Sequence, residues 1–61
     1  MIKVRFKSRQ VTEARRQELI REAESLGAIF ESYDPAQNEL LFKLSPGINR
    51  KEFMDTLAKN N

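Results

Sequence analysis

Residues 2–7 alternate without a break: Ile2, Val4 and Phe6 are apolar, and Lys3, Arg5 and Lys7 are basic. Successive side chains of a β-strand point to opposite faces, so this period of two predicts a strand over 1–7 with one face in a core and the other in water. The period then changes. Leu19, Ile20, Ala23 and Leu26 recur at spacings of three and four, which predicts a helix over 12–26. Thr12 stands where an N-cap is needed, Glu13 lies in the first turn beside the positive end of the helix dipole, and Gly27 follows as the C′ residue. Arg15, Arg16, Glu18, Arg21, Glu22 and Glu24 are assigned mostly to the outer face.

Two further strands, 28–33 and 39–44, flank Asp34-Pro35-Ala36-Gln37-Asn38, a hairpin spanning 28–44. Pro35 fixes a turn φ, Asp34 can cap the turn through its side chain, and Asn38 tolerates the left-handed region. Leu40, Phe42 and Leu44 alternate toward the core, leaving Leu41 and Lys43 outside. Ser45-Pro46-Gly47 breaks the chain before a second helix over 49–59. Asn49 and Glu52 have capping-box spacing, and Ile48 with Phe53 has the spacing of a hydrophobic staple. Phe53, Met54, Leu57 and Ala58 form its apolar stripe, and the tail from Lys59 to Asn61 is expected to fray.

The order β-α-β-β-α predicts a single α+β domain over 1–61, a two-layer sandwich of three strands with both helices on one face. A right-handed crossover puts the first and third strands side by side and the second at the far edge. The arrangement resembles a ferredoxin-like βαββαβ fold lacking its last strand, a likeness of architecture. In that fold the last strand flanks the first, so the resemblance implies a first strand with an open edge. Heavy-metal-binding domains of that fold carry paired cysteines, and this chain has no Cys.

The 61 residues include no Cys, His or Trp and only two Gly. A zinc site, a thiolate or imidazole nucleophile system and a glycine-rich phosphate loop all lack their residues. No carboxylate sits in a strongly apolar stretch, Glu31 being the nearest exception, since a four-residue hairpin loop would turn it toward the core. The expectation is a protein that is not an enzyme, with no cofactor, metal or small-molecule substrate. No apolar run approaches the roughly 20 residues of a membrane span, and the N-terminus lacks the continuous apolar stretch of a signal peptide. A soluble, cytoplasmic protein is therefore expected, and the lack of Cys fits a reducing compartment.

Charge is unevenly placed. Residues 1–16 hold six cations and one anion, Glu13, for a net of +5, whereas the whole chain carries only +2. Lys3, Arg5 and Lys7 share the open sheet face with Leu41 and Lys43. Either Phe30 or Tyr33 is expected to join them, depending on the hairpin register, because a shift of one residue turns a strand over. The candidate partner-binding set is thus Lys3, Arg5, Lys7, Phe30, Tyr33, Leu41 and Lys43. Aromatics beside cations suit a protein interface and also suit nucleic acid, where phosphates meet Lys or Arg and bases stack. A small core and an open edge favour a homodimer or strand addition to a partner, while lysines along an edge also protect it from unwanted pairing. The expected function is a regulatory or inhibitory protein that docks on a protein partner or on itself through the first strand and the open face. The alternative is RNA or DNA binding by that face.

Overall fold

The computed structural model describes residues 2–9 and 12–59. Strand β1 (Ile2–Lys7) is followed by helix α1 (Glu13–Ser25), strands β2 (Ile29–Asp34) and β3 (Glu39–Leu44), and helix α2 (Arg50–Lys59). The strands form one antiparallel sheet in the order β1-β3-β2, so β3 lies in the middle, the order expected from the sequence. Met1, Asn60 and Asn61, which the sequence reading placed at the start of the first strand and in the frayed tail, lie outside the described residues.

The helices start and stop where local chemistry directs. Thr12 Oγ1 accepts the N–H of Arg15 at 3.2 Å, closing the first turn of α1. At the other end the Gly27 N–H bonds Glu24 O and the Ala28 N–H bonds Ala23 O, both at 3.0 Å. These are the paired bonds of a Schellman motif, with Gly27 at φ +96°. A Cβ there would also meet Ile48 Cδ1 at 3.2 Å. Asn49 Oδ1 accepts the Glu52 N–H at 3.0 Å, which gives α2 its N-cap.

Val4, Phe6, Leu40, Phe42 and Leu44 from the sheet meet Leu19 and Ala23 of α1 and Phe53 and Leu57 of α2 in one core, so both helices cover the same sheet face. Phe42 is its centre: it is fully buried, with its ring centroid 5.9 Å from that of Phe30 and 5.6 Å from that of Phe53, both edge-on. Ile2 follows the core alternation yet is 54% exposed at the end of the ladder.

Two expectations are corrected by the packing. Arg15 is not on the outer face of α1: it is 9% exposed, because positions 15, 19 and 23 form the i, i+4 line that Leu19 and Ala23 turn inward. Neither Phe30 nor Tyr33 stands on the open face. A four-residue loop, 35–38, sets Asp34 opposite Glu39 and Tyr33 opposite Leu40, and then a β-bulge at Glu31 shifts the register so that Phe30 faces Phe42. Both aromatics therefore pack against the core. A regular strand cannot bury residues three apart, since they point to opposite faces; the extra residue of a bulge removes the conflict.

Candidate interaction surface

The face of the sheet away from the helices is built from rows of cross-strand neighbours. Lys3, Lys43 and Ile29 form one row, Arg5, Leu41 and Ser32 the next, and Lys7, Glu39 and Asp34 the third. The structure thus brings Lys3, Arg5, Lys7, Leu41 and Lys43 together as the sequence predicts, and leaves Phe30 and Tyr33 on the other side. Tyr33 lies under α1, with the Arg16 guanidinium 4.4 Å from its ring centroid. The face is also less basic than β1 suggests. Four cations stand among three carboxylates, those of Glu31, Asp34 and Glu39.

Glu31 is the residue that sequence reasoning misplaced. As the bulge residue it turns away from the core, and its carboxylate lies 3.4 Å from Lys3 Nζ and 3.2 Å from Lys43 Nζ. Partial desolvation, acting alone, would raise its pKa. The Lys43 hydrogen bond and the charges of Lys3 and Lys43 together outweigh that and hold the carboxyl below its ordinary value. The signal for this in the sequence is the spacing of Phe30 and Tyr33 with two polar residues between them, which no regular strand satisfies. Arg5 and Lys7 make no ion pair with any described residue.

The backbone of β1 can be assigned to its two edges. The Ser8 N–H donates to Asn38 O at 3.0 Å, continuing the β1–β3 register by one residue. In an antiparallel ladder the N–H and C=O of one residue point to the same side, and the side alternates along the strand. Ile2, Val4 and Phe6 therefore bond to β3, and the N–H and C=O groups of Lys3, Arg5 and Lys7 point outward. Among the described residues no strand pairs with that outer edge.

Asn38 anchors the end of this surface. At φ +55° its Oδ1 accepts the Tyr33 hydroxyl at 2.7 Å and its Nδ2 donates to Ser8 O at 2.9 Å. The hairpin loop is thereby tied to the exit of β1. The open face also carries a hollow of about 150 Å³ bordered by Arg5, Ser32, Asp34, Gln37 and Glu39, below the roughly 300 Å³ at which small-molecule sites begin. Among the described residues no helix is long and apolar enough to cross a membrane. Compared with protein-family models, with curated proteins and with solved structures, the chain matches none of them.

Proposed function

We propose that this is a small regulatory or inhibitory binding protein, without catalysis of its own, that docks on another protein chain by adding a strand to the outer edge of β1. The observation that supports this reading is a coincidence in three residues. Lys3, Arg5 and Lys7 direct backbone groups that no described residue pairs to the sheet edge, and exposed cations to the adjoining face. An extended segment laid there would gain main-chain hydrogen bonds from the edge and selectivity from the side chains beside it. The chain donating that strand is another protein or a second copy. The proposal sets the protein in the cytoplasm, a reducing compartment that suits a chain with no Cys. The nucleic-acid alternative is the weaker reading, because the aromatics that would stack on bases pack against the core.

Residue-resolved hydrogen exchange tests the edge. In the dilute protein the amides of Lys3, Arg5 and Lys7 should exchange fast and those of Val4 and Phe6 slowly, a two-residue alternation that disappears when a strand is added. Slow exchange at all five positions in a monomer would show an edge already covered, and the proposal would fail.

A further inference from the structure

We infer that the strand accepted by β1 belongs to a different protein and alternates carboxylates with apolar residues, and that a second copy of this chain is not its occupant. This rests on the strand-addition reading above and names the partner's chemistry.

The argument is one of parity. Directly opposed residues of an antiparallel pair lie on the same face of the sheet. An added antiparallel strand therefore sets alternate side chains beside Lys3, Arg5 and Lys7 on the open face, and the intervening ones beside Ile2, Val4 and Phe6 on the helix side. The first set meets cations, of which Arg5 and Lys7 have no ion-pair partner among the described residues. Carboxylates there would be paired. The second set meets the margin of the core, where Ile2 remains 54% exposed. Apolar side chains there would cover it.

A second copy fails the same test. Two β1 strands paired antiparallel about a two-fold axis normal to the sheet always match odd residues with odd residues. Lys3 then faces Lys7 or Arg5, and Arg5 faces itself or Lys7, and like charges directly opposite are destabilising. The other edge of the sheet is a poor substitute. Strand β2 carries Glu31 and Asp34, but its bulge distorts the ladder, and Glu31 is already held by Lys3 and Lys43.

The test uses the full chain and three synthetic heptapeptides that alternate Val with Glu, with Ser or with Lys. Binding is read by chemical shift and by exchange protection of the Lys3, Arg5 and Lys7 amides, near 0.1 M salt, where the Debye length is about 10 Å. The Glu peptide should protect those amides and bind at least about threefold more tightly than the Ser peptide, given three cross-strand charge pairs. The Lys peptide should not bind. The Arg5→Glu, Lys7→Glu double variant should reverse the order, favouring the Lys peptide. Equal binding of the Glu and Ser peptides would overturn the charge inference while leaving the edge reading intact. So would fast-exchanging odd amides that no peptide protects. Protection of the odd amides that grows with protein concentration, with a dimer in sedimentation, would show a second copy as the occupant and overturn the inference. Equal protection by a single-stranded DNA oligonucleotide would overturn it in favour of a general polyanion site. Slow odd amides in the dilute free monomer would remove the edge reading itself.

Discussion

Lys3 and Lys43 stand directly opposite each other in the β1–β3 ladder, and the carboxylate of Glu31 lies 3.4 and 3.2 Å from their two ammonium groups. A like-charge cross-strand pair is thus converted into a bridge spanning all three strands. The folded carboxyl has a lowered pKa. Its stabilisation is therefore complete above the unfolded value, about 4.3 for Glu, and is lost as pH falls through the folded value. Glu31→Gln should lower the melting temperature near neutral pH and flatten the acid limb of the stability profile. Once the pH is low enough to protonate this carboxyl in both the folded and the unfolded protein, variant and wild type should melt together. Thermal melts across that range check this.

Phe42 meets Phe30 of the neighbouring strand and Phe53 of α2 through edge-on rings. Phe42→Ala should cost about 3–5 kcal/mol and Leu57→Ala about 2–5 kcal/mol. Domains of this size have total stabilities of only about 5 kcal/mol or somewhat more, so chemical denaturation should find either variant left with a small fraction of the wild-type margin and a much lower unfolding midpoint.

Asn38 combines a left-handed backbone with two side-chain hydrogen bonds. Asn38→Gly keeps the backbone conformation and loses the bonds, whereas Asn38→Ala loses both. The Ala variant should lose about 1–3 kcal/mol and the Gly variant less. Tyr33→Phe should lose about 1 kcal/mol. Urea unfolding of the three variants ranks them.

Arg15 is buried in the first turn of α1, and its Nε and Nη2 have no hydrogen-bond partner among the described residues. Its nearest acid, Glu18, is 3.9 Å from Nη1 and largely exposed. An unsatisfied buried donor costs about 1–3 kcal/mol, so Arg15→Met, which retains the long apolar stem, should raise stability by an amount of that order. A rise in the urea midpoint at constant m-value is the expected result, and a fall would mean that the guanidinium is held by a contact that matters.

The elements of the fold were legible in the chain because short-range chemistry sets them. The alternation of residues 2–7, the Thr12 and Asn49 caps and Gly27 each act within a few residues, and each does in the structure what its type predicts. The pairing of β1 with β3 is the strand order expected from the β-α-β-β-α sequence of elements. What the sequence could not decide was the orientation of side chains whose neighbours are distant in the chain. Phe30 and Tyr33 compete for one core from opposite faces of a regular strand, and the competition ends only when the sheet and helices enclose a volume that takes both. The bulge this requires moves Glu31 to the open face, where two lysines from other strands receive it. The same enclosure draws Arg15 inward with Leu19 and Ala23. Local periodicity fixes which residues can face together; the shared core fixes which of them do, because burying two aromatic rings outweighs the local cost of an irregular strand and an ill-served guanidinium.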